Sequence, residues 1–188
     1  HSRVRRQRQM CIRDSEEEFI EFNDQENFIN LLQETGLWNS FRTRPFNRTP
    51  AISDIPKGIF INCCDTNPLS VDPYEIIKYD QDLFDLGLEI LVKKFECDIY
   101  VNYQNDKFEK NNKSVTYTQF SGPHPAGLSS THISQLCPVN LNKIVWTIGY
   151  QDIISIGHLM QYKTLRTSKI IAIGCLLYTS PSPRDTRR

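Results

Sequence analysis

The chain has 188 residues, with 22 Lys/Arg against 22 Asp/Glu, four His and six Cys, and 39% of it is apolar. That length suits one domain with a real hydrophobic core. No apolar run approaches the roughly 20 residues of a membrane-spanning helix; the longest, "IIAIGCLL", occupies 170–177.

In chain order, the first segment is not read as native protein. "MCIRDS" (10–15) back-translates as ATG TGT ATA AGA GAC AG, and the reverse complement of that element, TGT CTC TTA TAC ACA TCT, encodes "CLLYTS" (175–180). Residues 1–15 and 175–188 are therefore expected to be translated sequencing-library adaptor flanking an internal fragment, with no part in the fold. Without them, 16–174 carries 14 basic and 20 acidic residues, a net charge of −6. The basic "RVRRQR" at 3–8 thus has no bearing on partners, and the acidic remainder argues against nucleic acid.

Residues 16–57 are expected to form a helix and an Arg/Pro-rich linker leading into an α/β domain over 58–174. "NDQENFINLLQETGLW" (23–38) opens on Asn/Asp cap candidates, gathers Phe28, Ile29, Leu31 and Leu32 on one face and stops at Gly36. "SFRTRPFNRTPAISDIP" (40–56) reads as extended loop. "GIFINCC" (58–64) is a buried strand, followed by turn chemistry in "DTNPLSVDP" (65–73). "YEIIKYDQDLFDLGLEILVKKF" (74–95) is a single amphipathic helix. "DIYVNY" (98–103) is a strand, 104–114 a polar surface loop and "VTYTQF" (115–120) another strand. Ser129, Ser130 and Thr131 then offer caps for a short helix. "KIVWTIGY" (143–150) is a strand, "QDIISIGHLMQY" (151–162) a helix and "SKIIAIG" (168–174) a last strand. This alternation predicts an α/β fold, a mainly parallel, Rossmann-like sheet flanked by helices.

A Gly-rich nucleotide fingerprint is absent: there is no G-x-G-x-x-G and no complete P-loop. Gly122 and Gly127 have Walker-like spacing, but Leu128 and Ser129 follow them, and Pro123 and Pro125 remove two N–H donors from a phosphate cradle. "GPHP" reads instead as a stiff, near-polyproline segment displaying His124, with Gly127 allowing a turn or a close approach. A rigid connection is the first reading of this loop, and a ligand-facing loop at the strand ends the second.

The other chemistry-bearing residues point less sharply. His124 and His132 lie eight apart with only Cys63 and Cys64 as soft partners, and adjacent strand residues face opposite ways, so no metal site is expected. Cys63, Cys64, Cys97 and Cys137 fit neither a CxxC pair nor a disulfide framework and read as reduced thiols of a cytosolic protein. Asp65 is an Asx-turn residue, an acid or a ligand contact. Arg42, Arg44 and Arg48 are suited to an anion or to an interface. His158 reads as a core histidine and Asp152 as a first-turn helix acid.

Four stretches, "GLWNSFRTRPFNRTPAI" (36–52), "DTNPL" (65–69), "SGPHPAGLSSTHI" (121–133) and "VWTIGYQDIISIGHL" (145–159), resemble, in order, the A subunits of the Na+-translocating NADH:quinone reductase. The resemblance implies a bacterial respiratory complex that oxidises NADH, reduces ubiquinone or menaquinone and exports Na+. It implies that this chain is a peripheral component at the cytoplasmic face of the inner membrane, with the membrane subunits as partners. It also implies that other subunits carry the flavins and the iron–sulfur cluster, so that this chain binds no cofactor and catalyses nothing alone. The candidate contacts with a neighbouring subunit or with quinone are then Gly122, Pro123, His124, Pro125, Gly127, His132, Arg42, Arg44, Asp65 and Asn67. The chain departs from the family in Ser134, where a second histidine is usual, and in Ser168, where an acid is common. The alternatives are a free-standing α/β enzyme using Asp65, His124 or Cys63, and the related C subunit of the ferredoxin-oxidising ion pump.

Overall fold

The computed structural model describes residues 25–140 and 143–172. Both expected adaptor tails, and the cap candidates Asn23 and Asp24, lie outside these residues. Among the described residues, five strands form one sheet: β1 (Arg42–Arg44), β2 (Gly58–Cys63), β3 (Asp98–Tyr103), β4 (Thr116–Gln119) and β5 (Val145–Gly149). Their order across the sheet is β1-β5-β2-β3-β4, with β5, β2, β3 and β4 parallel and β1 antiparallel to β5. The helices are α1 (Gln25–Glu34), a 3-10 turn (Leu37–Ser40), α2 (Pro73–Tyr79), α3 (Gln81–Lys94), α4 (Ser129–Leu136) and α5 (Tyr150–Tyr162). The mainly parallel α/β sheet is the one that the alternation of elements predicts.

The two faces of the sheet are unequal, and strand alternation decides which residue serves which face. Ile59, Ile61 and Cys63 of β2, with Ile99 and Val101 of β3 and Trp146 and Ile148 of β5, join the large core under α1, α3 and α5. Phe60 and Val145 point the other way, into a small cluster with Ile133 and Cys137 on and just after α4, where Phe60 stacks on Tyr100 at 4.6 Å. The large core centres on aromatics: Trp38, Phe41 and Phe95 surround Trp146 at centroid distances of 5.5–5.7 Å.

Several elements differ from the sequence reading. Within the stretch read as extended loop, Arg42–Arg44 is an edge strand whose residues pair with Thr147, Trp146 and Val145. Three polar residues carry no strand pattern of their own; the free edge of β5 recruits them. The helix read over 74–95 is two helices. Asp72 caps α2 by accepting from Tyr74 N at 3.0 Å, and the chain turns at Asp80 (φ −125°) before α3. Asp80 is held there by Arg166 at 2.9 Å. Residues 168–172 form no strand: Gln151 satisfies both backbone groups of Ile170, and Lys169 pairs with Asp152. Residues 173 and 174 lie outside the described residues. Helix α1 ends where Gly36, at φ 76°, turns the chain.

Candidate functional site at the carboxyl edge of the sheet

The chain runs from β2 outward to β3 and β4, then returns to place β5 on the other side of β2. The carboxyl ends of β2 and β5 therefore flank the topological switch point, where open α/β sheets hold ligands. Three segments meet along this edge: the turn after β2 (64–72), the loop between β4 and α4 (120–128), and the junction of β5 with α5.

The turn after β2 is built by short polar side chains. Asp65 Oδ1 accepts from Asn67 N at 2.9 Å and Asn67 Nδ2 at 2.7 Å, the Asx turn that Asp-Thr-Asn-Pro favours. Asn62 Oδ1 accepts from Cys64 N, while its amide nitrogen reaches across to donate to Gly127 O at 3.0 Å. Leu69 adopts φ 66°, an uncommon state for a bulky side chain. The switch-point cleft, about 470 Å³, lies between this turn and Tyr150, Gln151 and Ile170. Asp65 and Asn67 line it.

The second segment is not the extended polyproline piece expected. Ala126 N donates to Pro123 O and Leu128 N to Pro125 O, so 123–128 is two successive turns, and the His124–Pro125 bond is cis. Phe120 N donates to Tyr103 O, which carries the loop back over the end of β3 toward β2. There Thr66 is the hub: its hydroxyl accepts from Gly127 N at 3.0 Å and lies 3.2 Å from His124 Nδ1. Gly127 must be glycine, because a Cβ would sit 2.7 Å from Thr66 N. Ser129 and Ser130 do not cap α4: its N-cap is Leu128, without a side-chain bond, and the Thr131 hydroxyl donates to Pro125 O.

His132 fastens this loop from beneath. It is fully buried, packs on Phe120 at 4.1 Å and donates from Nε2 to Ala126 O at 2.8 Å. Burial pushes its pKa below the ordinary histidine value, against the opposing effect of the Ala126 carbonyl. The unfolded chain therefore takes up a proton near pH ~6.5, which the folded chain resists. Stability above that pH carries no such term, and it falls as pH drops through and below it. Urea midpoints at pH about 7.5 and 5.5 should show this fall. His132→Gln should flatten the slope; an unchanged slope would assign it to other groups.

The structure brings together Asp65, Asn67, Gly122, Pro123, His124, Pro125, Gly127 and His132 along one sheet edge. Arg42 and Arg44 stand apart, on β1 beyond β5. Cys63 and His124 do not form a nucleophilic pair. Cys63 faces the large core on the opposite side of the sheet from Asn62, and burial holds its thiol well above the ordinary range. The Cys64 thiol is pushed up to about 12, again chiefly by burial. Among the described residues all four cysteines are free, and no cluster of three His, Cys, Asp or Glu side chains could hold a metal ion. His158 is half-buried against Tyr162, not in the core, with Nδ1 3.0 Å from Thr164 O.

The family model described as "NqrA second alpha/beta domain" matches residues 23–165. The chain belongs to this family. Its relatives include proteins named as the A subunits of Na(+)-translocating NADH-quinone reductases. That of Photorhabdus laumondii is 44% identical over 147 residues, 77% of this chain and 33% of the relative. That of Neisseria gonorrhoeae is 45% identical over 154 residues, covering 81% and 34%. That of Yersinia pseudotuberculosis is 42% identical over 160 residues, covering 84% and 36%. The chain thus spans about a third of the length of the curated relatives it matches.

Within the NqrA-type domain, Thr66, Asn62 and Gln151 are the residues that reasoning from sequence missed. Asn62 had a signal, as the one polar residue inside the apolar run "GIFINCC". Thr66 and Gln151 had none, because their partners lie 58–61 and 19 residues away.

Proposed function

We propose that the chain is the second α/β domain of the A-type polypeptide of a Na+-translocating NADH:quinone reductase, serving as a peripheral assembly element that contributes quinone contacts. The observation that carries this reading is the family match over 23–165, together with relatives of 42–45% identity that bear the same name. In this reading NADH, the flavins and the iron–sulfur cluster are handled by other subunits. The chain works at the cytoplasmic face of a bacterial inner membrane, docked on membrane subunits. Two features of the chain agree: it has no Gly-rich nucleotide fingerprint, and no described helix is long and apolar enough to cross a membrane.

The polar groups of the carboxyl edge are largely spent on one another, which suits a shaped contact surface better than an acid–base centre. Gly122, Pro123, His124 and Pro125 are exposed, whereas Gly127 and His132 are buried and hold them in place. Asp65 and Asn67 on the neighbouring turn extend the same surface.

Co-purification tests the assembly role. The full-length protein carrying this domain should be recovered with the other subunits of the reductase, and recovery as a stable monomer without membrane partners would refute it. A photoreactive quinone analogue tests the contact: it should label residues within 121–133 of the assembled complex. Labelling confined to another subunit would remove quinone from this chain's role while leaving the assembly role intact.

A further inference from the structure

The less covered face of the sheet holds a second cleft, away from the switch point. It is about 320 Å³, lies between the start of the β1–β2 connection and α4, and is walled by Pro45, Ile133, Pro138 and Val139. Arg44 stands in its lining with Ser130 and Ser134. Register explains how the arginine arrives there: Arg44 pairs with Val145, and both face the α4 side.

Among the described residues the cation is unmatched. Arg44 Nε is buried without a hydrogen-bond partner, and among the described residues no carboxylate pairs with the guanidinium. Acids outnumber bases over 16–174, yet none among the described residues lines this cleft. A desolvated guanidinium nitrogen without an acceptor is costly, and its planar fork suits a carboxylate. The first turn of α4, which contains Ser130, adds a positive dipole end beside the same cleft. The outer edge of β1 is meanwhile closed by its own return loop: Arg48 O accepts from Thr43 N at 2.7 Å, and Thr43 O accepts from Asn47 N at 2.6 Å. A partner therefore cannot add a strand there and meets the face instead.

The geometry points to a docking cleft for a polypeptide segment that carries an Asp or Glu beside an apolar side chain, with the carboxylate on Arg44 and the apolar group between Pro45, Ile133 and Val139. Resting on the reading of this chain as part of a multi-subunit reductase, the segment belongs to another subunit of that complex.

The test uses the assembled complex. A photocrosslinker placed by Ser134→p-benzoylphenylalanine, an exposed position, should join a segment of another subunit that contains Asp or Glu. Arg44→Glu should weaken binding of the full-length protein to complex depleted of it by about tenfold or more, since a reversed charge leaves a desolvated repulsive pair. Arg44→Lys should retain part of the affinity, and Lys113→Glu, on a distant loop, all of it. Crosslinks only within the same polypeptide, to a second copy of it or to lipid would overturn the inference, as would affinity indifferent to Arg44→Glu. If the unsubstituted protein does not co-purify with the other subunits, the reductase reading itself falls; if it co-purifies and the crosslink is absent, only this cleft assignment falls.

Discussion

Gly157→Ala is expected to destabilise the chain by about 3 kcal/mol, as overpacking of a tight core does. Helices α3 and α5 cross at two glycines. A Cβ on Gly157 would lie 1.9 Å from Leu83 O and 3.2 Å from Gly87 N, and one on Gly87 would lie 2.4 Å from Ile153 O. The atoms met are backbone carbonyls of a helix packed on the sheet, so neither rotates aside. Helix propensity works in the opposite direction by about 1 kcal/mol in favour of alanine, and the steric term wins because the helices must separate by more than an ångström. That separation would also loosen Phe84, Leu88, Ile153 and Ile156, which are fully buried. A drop in the urea midpoint with an unchanged m-value is the expected signature; an unchanged midpoint would show that the helices do not approach this closely.

Trp146→Ala should cost about 3–5 kcal/mol, the usual range for emptying a large aromatic site. Trp146 is 1% exposed and meets Trp38, Phe41 and Phe95 edge-on, so its removal leaves three rings facing a void. Trp146→Phe should cost much less. The indole Nε1 is buried with no acceptor among the described residues, whereas Trp38 Nε1 donates to Pro50 O at 3.0 Å. Phenylalanine keeps most of the ring contact and removes an N–H whose desolvation is uncompensated. Thermal unfolding of the two variants tests this, and equal losses for Ala and Phe would mean that Nε1 has a partner.

These two sites show how much could be read from the chain itself. The strand "GIFINCC" and the helix "QDIISIGHLMQY" follow from composition and periodicity, because a buried strand and an amphipathic helix each leave a local pattern. The Asx turn at Asp65 is equally local, since donor and acceptor sit two residues apart. An isolated glycine within a helical pattern is a weaker signal: Gly87 and Gly157 suggest close packing but do not name each other as neighbours. The edge strand at Arg42–Arg44 leaves no local mark, and neither does the absence of a strand at 168–172. Both are settled by partners far along the chain: a free edge of β5 in the first case, and the side chains of Gln151 and Asp152 in the second.

The candidate site divides in the same way. Its composition was legible in "SGPHPAGLSSTHI", whose prolines disqualify a phosphate cradle wherever the loop lies. Its conformation was not: the loop turns twice where its prolines suggest extension, because backbone bonds from Ala126 and Leu128, with Thr66 and Asn62 on another strand's end, fold it back. Sequence by itself therefore determined the α/β class and the family, carried by local pattern and ordered motifs, and it named candidate residues from which Arg42 and Arg44 have to be set apart. Only the tertiary structure decided which of those residues meet. It sent Cys63 into the core and Asn62 to the loop, joined His124 to Thr66, and left Arg44 beside α4 without a carboxylate among the described residues, because pairing register and crossover order act between residues tens of positions apart.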